Sequence, residues 1–131
     1  MKILLRNSPG TKWQKLEPFE FGGEHGEKLL EKLLEESPDL LPTEEGKPVL
    51  FFRSQATLGS NAVDLLGVDA DGAIVIVECK LEANREVRRE VVGQILEYAG
   101  QLHGMSYEEF EDLPFESATP PLLSNSELSL S

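Results

Sequence analysis

The stretch Asn61–Lys80 reads NAVDLLGVDADGAIVIVECK. Two apolar runs, Val63–Val68 and Ala73–Cys79, flank a polar turn at Asp69–Gly72, and the alternation suits two antiparallel arms of a hairpin. Three charged residues interrupt them: Asp64, Glu78 and Lys80. Charges inside apolar strands are costly unless they are paired or hold a metal. The turn decides how they meet. A three-residue loop, Ala70-Asp71-Gly72 with Gly72 left-handed, sets Val68 opposite Ile74, Leu66 opposite Ile76 and Asp64 opposite Glu78. A two-residue Asp71-Gly72 loop would shift that register.

In the three-residue register the two carboxylates face each other with Cβ atoms about 5 Å apart. Strand alternation puts Lys80 on the side of Glu78. Two like charges at ~5 Å and an effective dielectric of ~20 repel by roughly 3 kcal/mol, so one keeps its proton or a cation joins them. A hard divalent ion accepts carboxylate, carbonyl and water oxygens, and Lys80 would then serve the attacking water. The plainer alternative is that Asp64 ends a strand and Glu78 and Lys80 form an ordinary ion pair.

Outward from the hairpin, Val49–Ala56 predicts a strand leading into a Leu58-Gly59-Ser60 turn. A helix over 24–36 carries Leu29, Leu30, Leu33 and Leu34 as its apolar face, with Glu27 and Glu31 sharing another face; Pro38 stops it. A long helix, Asn84–His103, has Asn84 as N-cap and Val87, Val91, Ile95, Leu96, Ala99 and Leu102 toward the core. Close packing on the sheet would account for Gly93 and Gly100. Ser106 caps a short helix at Tyr107–Leu113. Ile3–Leu5 predicts a short strand, and Trp13, Leu16, Phe19 and Phe21 are packing anchors in a segment made positive by Lys2, Arg6, Lys12 and Lys15, either a solvated edge or a phosphate-facing arm. Residues 1–113 therefore form one domain. Residues 114–131, rich in Pro and Ser, read as a tail or a linker to a further domain.

The chain has 131 residues and a net charge of −12. Six acids and no Lys or Arg follow His103. This balance argues against tight, unaided binding of nucleic acid, which favours basic surfaces. No apolar run is long enough to cross a membrane. The single cysteine, Cys79, excludes an internal disulfide, fits a reducing cytoplasm and reads as a small buried side chain. His25 and His103 are ordinary helix-flank residues.

Asp64 followed after thirteen residues by Glu78-Cys79-Lys80 resembles the PD-(D/E)XK nuclease superfamily, with Val63-Asp64 in place of its Pro-Asp element. Gln94-Ile95-Leu96-Glu97-Tyr98 is similar to the Gln-x-x-x-Tyr pattern of RecB-type members. Glu27–Leu41 (EKLLEKLLEESPDLL) resembles a segment of mismatch-specific and archaeal single-strand endonucleases. These motifs span about residues 24–103. The resemblance implies an α/β, restriction-endonuclease-like fold: a mixed sheet with a central antiparallel hairpin flanked by helices, in the order α-β-β-β-α, with a last strand that residues 104–131 do not obviously supply. It also implies metal-dependent hydrolysis of DNA phosphodiester bonds in repair or restriction. Asp64 and Glu78 would bind Mg2+ or Mn2+, with the Cys79 carbonyl as third ligand and Glu27 reaching the metal shell from the first helix; Glu31 is the alternative. Lys80 would serve the water and Gln94 would steady the site. Arg85, Arg88, Arg89 and Tyr98 would meet the DNA backbone, unless the arginines pair with Glu82, Glu86 or Glu90 and Tyr98 packs in the core. The acidic balance calls for a further domain or a second subunit, such as a homodimer, to supply DNA affinity. The rival reading is a nuclease-fold module that binds nucleic acid or a protein partner without cutting.

Overall fold

A computed structural model describes residues 3–6, 8–10, 12, 14–16, 25–41, 47–81 and 84–120. Trp13, Phe19 and Phe21 lie outside the described residues. The first two strands, β1 (Ile3–Leu5) and β2 (Gln14–Leu16), form a small antiparallel pair. The main body follows as α1 (Gly26–Glu36), β3 (Val49–Leu58), β4 (Asn61–Asp69), β5 (Ile74–Val77), α2 (Arg85–Leu102), α3 (Tyr107–Glu111) and β6 (Ser117–Ala118). A single 3-10 turn at Pro38–Leu40 closes α1. The class is thus mixed α/β, but the sheet is not the mixed one expected: all its pairings among the described residues are antiparallel, in the order β5-β4-β3-β6, because the last short strand runs back against β3.

The turn of the central hairpin is the three-residue one. Gly72 has φ 83°, and the Asp69 N–H donates to the Ala73 carbonyl at 2.9 Å. The Asp69 side chain accepts from the amides of Asp71 and Ala73, each at 2.9 Å, which fixes the loop as an aspartate turn. The pairs Val68↔Ile74 and Leu66↔Ile76 follow. Between β3 and β4 a tight turn joins Leu58 to Asn61.

The sheet has a core on each side. Val49, Phe52 and Leu65 pack with Leu34 of α1. Ala56, Leu58, Val63 and Leu66 pack with Tyr98 and Leu102 of α2 and Phe110 of α3. These sets break simple alternation: Phe52 and Ala56 lie four residues apart yet on opposite sides, and so do Leu65 and Val63, two apart. Both strands therefore change sides at the facing positions Gln55 and Asp64. Register is kept across the change, with Ser54↔Leu65 before it and Ala56↔Val63 after. Gln55 carries the distortion, with φ 49°.

Four further expectations need correction. On α1 the buried side chains are Glu31 and Glu35, while Leu29 and Leu33 are exposed; polar partners on the sheet, Gln55 and Ser117, draw the acids inward. On α2, Leu96 and Ala99 face outward rather than to the core, because the helix rests on a narrow strip ending in Tyr98 and Leu102. Gly93 and Gly100 are not packing glycines: a Cβ at either would meet nothing within 4 Å. The expected tail also begins later than its composition suggests. Pro114 accepts from Thr57, Glu116 donates to Ser54 and Thr119 donates to Phe52, so residues 114–119 run along β3 and include β6. Residues 121–131 are outside the described residues.

Gly67 is the glycine that packing demands. A Cβ there would collide with the Phe51 carbonyl oxygen and stand 2.6 Å from the Phe52 ring. We expect Gly67→Ala to destabilise the chain by about 1–3 kcal/mol through overpacking, whereas Gly93→Ala and Gly100→Ala should each stabilise it by about 0.5–1 kcal/mol. Denaturant unfolding of the three variants measures both signs.

Candidate metal centre

The hairpin's open end carries the acids. Glu78 lies just beyond β5, two residues after Ile76, and the β4–β5 register continues to bring it opposite Asp64. Each carboxylate is tied to the other strand's backbone. The Cys79 N–H donates to Asp64 Oδ2 at 2.9 Å, and the Asp64 N–H donates to Glu78 Oε1 at 3.3 Å. The second Asp64 oxygen, Oδ1, accepts from the Gln55 amide at 3.2 Å. Burial, and then the charge of Asp64, push Glu78 up to about 7, while Lys80 pulls the other way. Lys80 is exposed. Cys79 is buried, and burial followed by the charges of Asp64 and Glu31 pushes its thiol up to about 12, so it stays a neutral packing group.

The first helix meets the site through Glu31 rather than through Glu27 alone. Glu31 is 5% exposed and accepts from the Gln55 amide at 3.0 Å. Burial raises its pKa, the Gln55 hydrogen bond and Lys28 oppose this, and Asp64 adds to it. Lys28 lies 3.5 Å from the Glu31 carboxylate. Glu27 accepts from the Leu81 N–H at 3.1 Å, which places it one residue past Lys80. Gln55 has no motif to announce it: only the left-handed backbone shows its part, at a cost of about 1–2 kcal/mol for a residue with a Cβ.

From the other side α2 begins at an Asn84 N-cap, whose side chain accepts from the Val87 N–H at 2.9 Å. Gln94 Oε1 is sealed from solvent and has no hydrogen-bond partner among the described residues. Tyr98 is buried, and its hydroxyl donates to the Ala62 carbonyl at 3.1 Å. It pins α2 to β4. Arg85, Arg88 and Arg89 are exposed at the start of α2, and no ion pair involves them among the described residues. Pairing with Glu86 or Glu90 is therefore not what holds them, and their charge opposes the positive end of the helix dipole.

The donors suit a hard cation in kind, since Asp64, Glu78 and the unpartnered Gln94 Oε1 are all oxygen groups. Among the described residues, no three or more His, Cys, Asp or Glu side chains group closely enough to hold an ion. The centre is thus a carboxylate pair, not a closed cage. Comparison with protein-family models, curated proteins and solved structures finds no match.

A carboxyl group whose pKa is higher in the fold than in the open chain binds its proton more tightly when folded, so its contribution to stability falls as pH rises from about 4.5 through about 7. Glu78→Gln removes that loss. Melting temperatures of the ion-free chain should show wild type falling relative to Glu78→Gln as pH goes from 5 to 8; parallel curves would mean that Glu78 ionises normally.

Proposed function

We propose that this chain is a PD-(D/E)XK-type, restriction-endonuclease-like domain that hydrolyses DNA phosphodiester bonds with Mg2+ or Mn2+. The observation that carries the reading is the placement of Asp64 and Glu78 together at the open end of one hairpin, with Lys80 next along the strand. The order α1-β3-β4-β5-α2-α3-β6 also supports it, since a short strand follows the long helix as in the α-β-β-β-α-β pattern.

Asp64 and Glu78 would hold the ion, with the Cys79 carbonyl beside them and Glu31 or Glu27 reaching it from α1. When bound, the ion acidifies water and offsets charge on the phosphate. The rest falls to the chain. Lys80 orients the water and balances the added negative charge. Glu78 exchanges its proton near neutral pH, so ion binding and proton release are linked. Gln94 offers a buried oxygen with no hydrogen-bond partner among the described residues. Arg85, Arg88 and Arg89 present three cations with no ion pair among the described residues to phosphates. A reducing cytoplasmic setting agrees with one buried thiol, and no helix among the described residues is long and apolar enough to cross a membrane.

One observation favours a second reading. The net charge of −12 suits a nuclease-fold module that binds nucleic acid or protein without cutting. In either case a further domain or second subunit would supply DNA affinity.

Titration calorimetry with Mg2+ and Mn2+, paired with cleavage assays on duplex, single-stranded, mismatched and branched DNA, separates the two. Wild type should bind an ion, more tightly at pH 8 than at pH 6, and cut at least one substrate. Asp64→Ala should lose both properties, while Lys80→Ala should keep the ion and lose cleavage. A wild-type chain that binds neither ion at millimolar concentration and cuts nothing would leave only the binding module.

A further inference from the structure

We propose that Gln55 is a positioning residue for the candidate centre: its amide, presented by a left-handed backbone, sets the separation between Glu31 on α1 and Asp64 on β4. This rests on the metal-site reading above and assigns a new role within it. One NH2 group donates to both acids, at 3.0 Å to Glu31 and 3.2 Å to Asp64. An amide nitrogen has two hydrogens, one for each carboxylate, so a single side chain ties a helix to a hairpin. The amide is also neutral. It bridges two anions without cancelling their charge, as a lysine there would, and so leaves that charge for a cation.

The backbone explains how Gln55 reaches the place. Arg53 lies on the α3 side, where its guanidinium donates to the Glu111 carbonyl at 3.0 Å. Ordinary alternation would send Gln55 to that side too, away from α1. The left-handed turn at φ 49° reverses the sequence of sides. Gln55 consequently points at Glu31, and Ala56 and Leu58 drop into the core beneath α2. The strained dihedral and the two-acid bridge are one device, found where backbone strain is often kept for function.

The test uses the full chain with Gln55→Met, which keeps size but loses both donors, and Gln55→Gly, which loses the donors and relieves the backbone. Mn2+ titration calorimetry reads ion affinity, thermal melting reads the fold, and amide exchange by NMR reads the Gln55 NH2 in the ion-free wild type. Loss of a group that orients a metal ligand costs roughly 10- to 100-fold in affinity, and that is the expected drop in both variants. Gln55→Gly should melt no lower than Gln55→Met, because strain is released. The Gln55 NH2 should exchange slowly in wild type and rapidly in Glu31→Ala. Wild-type ion affinity in both folded variants, or exchange as fast as that of a free glutamine, overturns the role of Gln55 while leaving the metal site intact. A wild-type chain that binds no Mn2+ removes the metal site and the positioning role with it.

Discussion

Asp64 and Glu78 repel one another at the end of a single hairpin, and the donors around them are arranged to contain that repulsion. The Cys79 amide and the Gln55 side chain hold Asp64, and the Asp64 amide holds Glu78. Lys80 acts on Glu78 through space. None of these removes the conflict; they distribute it. The proton that Glu78 keeps up to about 7 is the remaining cost of the pair in the absence of a cation, and a site that holds a proton near neutrality can exchange it for one. Glu31 extends the same problem to α1, where this buried acid shares the Gln55 amide with the half-buried Asp64. The join between helix and sheet is thus electrostatic as much as apolar, which is why α1 turns two glutamates inward and leaves Leu29 and Leu33 outside.

How legible this was in the sequence varied with the range of the cause. The hairpin register followed from three local facts: Gly72 tolerates a left-handed turn, Asp69 caps it, and side chains alternate. Helix starts were equally local, set by Asn84 and Ser106. The exchange of sides at Gln55 was not local. It depends on a glutamine adopting a backbone that glutamine does not prefer, because Glu31 and Asp64 hold its side chain from two other elements. The same nonlocality hid the buried face of α1, since spacing alone marks its leucines. It also hid β6, where six residues of unremarkable composition lie along β3 only because that edge was open. Of the site residues, the hairpin acids and Lys80 were legible from spacing. Gln55 was not, and Tyr98 was ambiguous until its hydroxyl was seen on Ala62.

The charge of the molecule is divided rather than uniform. Glu108, Glu109, Glu111, Asp112 and Glu116 lie on or beside α3 and β6, whereas Arg85, Arg88 and Arg89 cluster at the start of α2 with no ion pair among the described residues. Three like charges at the wrong end of a helix dipole weaken the helix that carries them. The Asn84 cap offsets part of that penalty. A polyanion approaching this molecule meets an overall repulsive charge with an attractive zone near the first turn of α2. That arrangement favours a particular approach over tight capture.

The way β6 closes the sheet bears on how the molecule comes apart. Residues 114–119 are held to β3 by a handful of bonds, the Ser54–Ser117 hydroxyl pair and one reach from Ser117 to the Glu35 carboxylate. Short segments of this kind open well before a domain unfolds globally. When this one lifts, β3 presents a bare row of amides and carbonyls beside exposed Leu50, the sort of edge on which other chains can template. The C-terminal strap is therefore a guard against aggregation as well as a strand, and a chain shortened before Pro114 would carry the sticky edge permanently.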